Sequence, residues 1–308
     1  MRAPPDFVIA SAPKCGTTAL FEYLSRHPQI FMPRKELKFF CSDLKTSGGV
    51  GTLDEYRRLF AAAPANCLTG DISTLYLYSK VAIRRIMEQN PRTKVILVLR
   101  YPADAAHSLY AAGWSHRMEN IASFEDAWRA QPARSAGERV PPHWPDPATL
   151  QYGPMYRYAE QVRRVFEWVP ADQRHIVVFE EFFSAPHRHY ASLLQFLEVA
   201  SDGQAEFPVV NPSVGARSVL IERFLRHSPT WVQAVYRPLR PLFRAAHIHP
   251  AHILWSWNSA ARQKPALTAG FRAEVERYFA ADIAELETML GRPLWRQSEL
   301  VRQSESVQ

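Results

Sequence analysis

The stretch FVIASAPKCGTTALFEYLSRHPQ, residues 7–29, sets a short apolar run against a tight turn and then a helical pattern. The run DFVIA (6–10) ends at Ser-Ala-Pro. Beyond it Ala19, Leu20, Tyr23 and Leu24 share one side of a 3.6-residue period until His27-Pro28 stops it. A loop that leaves a strand and enters a helix presents unpaired backbone N–H groups and the positive end of the helix dipole, so it selects anions. Gly16 permits close backbone approach, Thr17 and Thr18 add hydroxyl donors, and Lys14 adds a positive charge. A triphosphate loop, GxxxxGK[ST], places its lysine at the helix entrance and its hydroxyl on magnesium. Here Lys14 precedes Gly16. That order suits a phosphate ester held without a metal.

Outward from this loop the pattern alternates. QIFM (29–32) reads as a short strand, YRRLF (56–60) as part of a helix, CLTGDIS (67–73) as a strand entering a loop, and SKVAIRRIMEQNP (79–91) as a helix ending at Asn90-Pro91. KVILVLR (94–100) is a continuous β-branched run, as a parallel strand covered on both faces requires. A helix follows from about Ala103, with Asp104 in its first turn. YRYAEQVRRVFEWV (156–169) predicts an amphipathic helix and HIVVFE (175–180) another buried strand. Strands alternating with helices predict an α/β fold, a doubly wound and mostly parallel sheet whose ligands sit at the carboxyl ends of the strands.

Two segments interrupt the alternation. Residues 131–154 are rich in proline and predict a long surface loop. Residues 217–244 carry six arginines and one acid, Glu222, among Leu, Trp, Val and Phe. They read as a solvated basic face on a helical excursion over 205–260, with peripheral contact to a membrane or an acidic acceptor as the alternative.

The 308 residues suffice for one large α/β domain, and 47% hydrophobic with 22% charged residues is ordinary for a globular chain. A net charge of +7 favours acidic ligands but is too modest to argue for nucleic acid. Cys15, Cys41 and Cys67 are scattered and odd in number, which suggests neither a disulfide framework nor a zinc site and makes a reducing cytoplasm the simplest home. No apolar run reaches the roughly 20 residues a bilayer requires, and the first residues lack a secretory pattern. The histidines 247, 249 and 252 have no Asp, Glu or Cys beside them, so no metal is expected there. Cys15 beside Lys14 at a helix start could carry a lowered thiol pKa, but no histidine partner is evident, and a loop backbone N–H is the better reading.

PKCGTTAL (13–20) resembles the PKxGTTxL loop of the sulfotransferases that use 3′-phosphoadenosine 5′-phosphosulfate, and VILVLRYPADAAHSLY (95–110) is similar to that family's 3′-phosphate site. The resemblance implies a P-loop-like fold over a single domain, 1–308, and catalysis of sulfuryl transfer. Lys14, Cys15, Gly16, Thr17, Thr18 and Ala19 would cradle the 5′-phosphosulfate, with Arg100 and Ser108 on the 3′-phosphate. An arginine early in the second segment is common among relatives; here Ala105 stands in its place.

MPRKELKFF (32–40) resembles the family's KExxFF segment, which implies Glu36 as the base that takes the acceptor's proton. TGDISTLYLYS (69–79) resembles GExSPxYL, with Asp71 as the alternative base and Ser73 as a polar contact; heparan-type members commonly carry a lysine where this chain has Ile72. The segment 262–297 resembles the family's closing segment, a loop and then a helix ending in a short LGRxLxxW-like tail, and the resemblance implies that the loop covers the nucleotide with Arg262 or Lys264 near its phosphates. The acceptor class implied is a carbohydrate or glycolipid hydroxyl, with 131–154 on the acceptor side. A small-molecule or secondary-metabolite hydroxyl and an ATP-dependent P-loop kinase are the alternatives, the kinase disfavoured by the missing GK[ST]. A nucleotide- or glycan-binding module without catalysis is a third class; it would keep Arg100 and Ser108 but tolerate loss of Lys14 and Glu36.

Overall fold

A computed structural model describes residues 5–46, 48–142, 144–208 and 267–295, together with the short strands 214–216 and 259–261. Five strands form one sheet: β1 (Phe7–Ser11), β2 (Ile30–Phe31), β3 (Leu68–Ser73), β4 (Lys94–Leu99) and β5 (Arg174–Val178). The order is β2-β3-β1-β4-β5 and every pairing is parallel. The chain runs outward from β1 to one edge, then crosses back to β4 on its other side. That reversal places the loops after β1 and β4 side by side at the carboxyl edge, where such sheets open a crevice. β1 and β4 are buried almost throughout because helices cover both faces, which accounts for their unbroken apolar sequence.

α1 (Thr17–Ser25) buries Ala19, Leu20, Tyr23 and Leu24, the side expected from their spacing. α2 (Leu53–Leu59) is capped by Thr52, whose Oγ1 accepts from the Glu55 amide. α3 (Ala82–Gln89) stops at Asn90, and α4 (Pro102–Ser115) carries proline at its first position and Asp104 in its first turn. α5 (Phe124–Arg129) is capped by Ser123.

The stretch 131–154 is not one long loop. It contains α6 (Gln131–Ser135), a 3₁₀ turn (Pro147–Leu150) and α7 (Tyr152–Met155). The cause is a buried ion pair: fully buried Arg134 donates to both oxygens of Glu119 at 2.9 and 2.6 Å, and Tyr152 donates to Glu119 Oε2 at 2.6 Å. Glu119 also accepts from the Asn120 and Ile121 amides. A charge pair so enclosed requires this degree of hydrogen bonding, and it pins the segment to the domain.

α8 (Tyr158–Trp168) begins two residues later than its sequence pattern suggests, and β5 ends at Val178 rather than Glu180. α9 (Phe179–Ser184) follows at once, with Phe179, Phe182 and Phe183 at helical spacing, and α10 (Pro186–Leu197) continues it. β6 (Val214–Ala216) pairs antiparallel with β7 (Ser259–Ala261), so the described part of the 205–260 excursion is a short ribbon. The arginine-rich 217–244 segment and the histidines 247, 249 and 252 lie outside the described residues. α11 (Ala269–Leu290) packs along α8 and α4 and is capped by Thr268. Among the described residues no helix is long and apolar enough to cross a membrane.

Candidate active site

Burial of β1 carries the chain to Ala12 before it turns, and Ser11 ties the strand end to β4 by donating to the Val98 carbonyl. Lys14 and Gly16 both take left-handed backbone, with φ of 67° and 85°. At Gly16 a side chain is excluded twice over, because an added Cβ would lie 2.8 Å from the Phe179 ring. Gly16 caps α1 with no side-chain hydrogen bond and no acid in the first turn, so the leading amides of α1 face the loop unneutralised. Lys14 is exposed at the tip, Thr17 and Ala19 are buried, and Thr18 is half-buried.

Arg100 leaves the end of β4 and donates from Nη1 to the Lys14 carbonyl at 2.9 Å. Its guanidinium lies 4.4 Å from the centroid of the Phe179 ring. The Arg100 Nε is buried with no hydrogen-bond partner among the described atoms, a donor that an oxyanion would satisfy. Ser108 sits two turns into α4 and is 9% exposed. Arg262 and Lys264 lie outside the described residues.

Cys15 keeps its thiol inside the domain, where Sγ donates weakly to the Pro13 carbonyl at 3.6 Å. Its thiol is fully buried against the Tyr158 hydroxyl, 3.5 Å away, and burial pushes it up to about 11. Burial thus opposes a lowered, nucleophilic thiol at this position. The next strut is Tyr156, which donates to the Pro13 carbonyl at 2.8 Å. Both tyrosines come from the entry to α8.

On the opposite wall Glu36 is half-buried, accepts from Thr74 Oγ1 at 3.1 Å and faces Lys38 Nζ at 3.6 Å. It lines a cleft of about 420 Å³ with Arg34, Lys35, Lys38 and Gly48. Lys35 donates to Thr18 Oγ1 at 2.6 Å and so joins the Glu36 segment to the anion loop. Burial pushes the Lys35 ammonium below its ordinary pKa; Glu36 opposes that shift, and the charges of Lys14 and Lys38 add to it. Three lysines and one carboxylate thus share one electrostatic neighbourhood.

Asp71 is more deeply enclosed than Glu36. It has no exposed surface, its Oδ2 accepts from Tyr76 at 2.7 Å and Tyr56 at 3.0 Å, and burial pushes its carboxyl up to about 6 against those donations. Ser73 is also buried, and its Oγ accepts from the Lys38 amide at 3.0 Å, which ties the end of β3 to the Glu36 segment. Among the described residues no three or more His, Cys, Asp or Glu converge as a metal site.

Lys35, Thr74 and Phe179 escaped sequence reasoning. Lys35 stands next to Glu36 in MPRKELKFF. Phe179 was hidden because an apolar run entering a helix reads the same as one continuing a strand, although the spacing of Phe179, Phe182 and Phe183 carried the signal.

The family described as "Sulfotransferase domain" matches residues 4–211, more than half of the chain. The chain belongs to the sulfotransferase family. A sulfotransferase from Alicyclobacillus acidocaldarius superposes with a TM-score of 0.70 over 95% of this chain and 98% of its own, at 23% identity, which shows the shared fold. The fold is therefore the P-loop-like α/β sheet expected of a sulfotransferase. Heparan sulfate glucosamine 3-O-sulfotransferase 5 of Mus musculus is 23% identical over 204 residues, 63% of this chain and 54% of its own. The human bifunctional heparan sulfate N-deacetylase/N-sulfotransferase 2 is 36% identical over 121 residues, 36% of this chain and 13% of its own. This sulfotransferase chain thus aligns with about half the length of one curated relative and a smaller part of the other.

Proposed function

We propose that the protein transfers the sulfuryl group of 3′-phosphoadenosine 5′-phosphosulfate to a hydroxyl of a carbohydrate or glycolipid acceptor. The observation that carries this reading is the 2.9 Å contact of Arg100 with the Lys14 carbonyl, which joins the β4 end to the anion loop in one cradle. The cradle suits the nucleotide on its own chemistry: unneutralised helix amides, Lys14, the Thr18 hydroxyl and a buried Arg100 Nε without a partner all donate, as an anionic ester requires. Lys14 to Ala19 would hold the 5′-phosphosulfate, and Arg100 with Ser108 the 3′-phosphate.

Glu36 accepts the acceptor's hydroxyl proton as the oxygen attacks sulfur in line. The new S–O bond forms as the bond from sulfur to the phosphate oxygen breaks, and adenosine 3′,5′-bisphosphate leaves. Lys14, Lys35 and the loop amides stabilise the negative charge that gathers on the departing phosphate and the transferring oxygens. Asp71, enclosed by its two tyrosines, shapes the wall behind Glu36 and takes no proton from the acceptor.

A carbohydrate acceptor draws support from the two heparan sulfate relatives and from the KExxFF-like segment that carries Glu36. Incubation of the purified chain with labelled phosphosulfate and a panel of saccharides, glycolipids and small hydroxylated metabolites, with and without a chelator, tests the proposal. Label in a saccharide or glycolipid supports it. Transfer from ATP with magnesium, and none from phosphosulfate, overturns it.

A further inference from the structure

Two consecutive acids, Glu180 and Glu181, open α9 beside Phe179, the residue whose ring lies under the Arg100 guanidinium. Acids suit the first turn of a helix, but a carboxylate near a phosphate-binding arginine competes with the phosphate for it. The tail that follows α11 engages both acids. Arg292 donates to the two oxygens of Glu181 at 2.6 and 3.2 Å, and Trp295 donates from its indole Nε1 to Glu180 Oε2 at 3.0 Å.

The other oxygen of Glu180 accepts from the Tyr101 amide at 3.0 Å. Tyr101 follows Arg100 and is the N-cap of α4, so this bond orients the peptide from which the arginine departs. Burial pushes the Glu180 carboxyl above its ordinary range, and the Tyr101 amide, the Arg100 charge and the indole N–H all oppose that rise. Arg100 therefore acts on Glu180 through its charge, yet it donates neither bond. Its Nη1 goes to the Lys14 carbonyl, and its buried Nε has no partner among the described atoms.

The indole is itself fixed. Trp295 is 3% exposed, its ring meets the Tyr101 ring edge-on at 5.9 Å, and it lies 6.5 Å from the ring of Tyr158, whose hydroxyl touches the Cys15 thiol. The preceding residue, Leu294, is buried and its amide donates to Glu287 Oε1 at 2.8 Å. A buried indole N–H requires an acceptor, and here the acceptor is the carboxylate nearest in sequence to Phe179.

We propose that Trp295 is a positioning residue for nucleotide recognition: its N–H holds the Glu180 carboxylate off Arg100, so that the guanidinium stays open to the 3′-phosphate. Without that donor one oxygen of Glu180 is released beside a cation that has a donor to spare, and the phosphate must then displace a carboxylate. This role rests on the reading of Arg100 as the contact for the 3′-phosphate.

Calorimetric titration of the full chain compares adenosine 3′,5′-bisphosphate with adenosine 5′-phosphate, which lacks the group that Arg100 would meet. In Trp295→Phe the bisphosphate should bind about fivefold or more weakly while the 5′-phosphate binds as before. Adding Glu180→Gln to Trp295→Phe should restore the bisphosphate, because the neutral amide still accepts from Tyr101 through Oε1 and no longer competes for Arg100. A loss of packing alone would weaken both nucleotides and would not be rescued by a second substitution. Should Trp295→Phe fail to fold, benzothienylalanine placed at 295 replaces the N–H by sulfur and leaves the ring shape in place, with the same result expected. A wild type that prefers the bisphosphate, together with a variant that keeps the preference or is not rescued, overturns this proposal alone. A wild type that shows no preference overturns the reading of Arg100 and this proposal with it.

Discussion

The Nη1 of Arg100 lies 2.9 Å from the carbonyl oxygen of Lys14, so the end of β4 and the tip of the β1 loop, 86 residues apart in sequence, are one structure. The Phe179 ring holds that structure from below: it lies under the Arg100 guanidinium and against the position that a Gly16 side chain would occupy. The contact depends on a forked, planar cation. Arg100→Lys keeps the charge but loses both the fork and the flat face. Affinity for adenosine 3′,5′-bisphosphate should fall about tenfold or more in that variant, read by calorimetry, while the melting temperature barely changes.

Gly16→Ala tests the same cradle from its other side. With φ at 85° and Phe179 Cδ2 at 2.8 Å from the new Cβ, the substitution should cost about 1–3 kcal/mol of stability in denaturant unfolding. Nucleotide binding should be lost with it, because the loop amides cannot keep their present direction.

Glu36→Gln keeps the shape and the Thr74 hydroxyl contact while removing the proton acceptor. Turnover should fall about a hundredfold or more, within the range usual for general bases, with nucleotide affinity unchanged. Normal turnover in this variant would remove Glu36 from the reaction. Asp71→Asn, by contrast, should retain most of the turnover.

Asp71 has a separate signature in stability. Its carboxyl is raised from 3.8 to about 6 in the folded protein, so the fold binds this proton more tightly than the unfolded chain does. That contribution is complete below about pH 4 and is lost as pH rises through 6. The shift corresponds to at most about 3 kcal/mol. Urea unfolding between pH 4 and 7 should show this decline in the wild type and a flatter profile in Asp71→Asn.

Cys15 should be silent to thiol chemistry. Buried and raised to about 11, it should resist iodoacetamide in the folded protein, and Cys15→Ala should keep its turnover. Rapid alkylation of Cys15 with loss of activity would contradict the backbone role assigned to it.

Much of this was legible before any coordinates. Strand β4 announced itself because a strand covered on both faces has no polar side to show, and the anion loop because few residue types tolerate its backbone. The Arg134 segment misled because proline and arginine in sequence look like solvent-exposed loop, and only a distant partner, Glu119, makes their burial affordable. The resemblance put Glu36 ahead of Asp71, but the sequence held no physical reason for that order. Their difference is the pair of tyrosines, Tyr56 and Tyr76, that the fold places over one carboxylate and not the other.

The joined cradle is tested most directly by calorimetric titration with adenosine 3′,5′-bisphosphate in the presence of a chelator. The wild-type chain should bind one equivalent, ATP should bind at least about tenfold more weakly, and Arg100→Ala and Lys14→Ala should each weaken the bisphosphate markedly. Absence of binding, or a preference for ATP, would contradict the central claim.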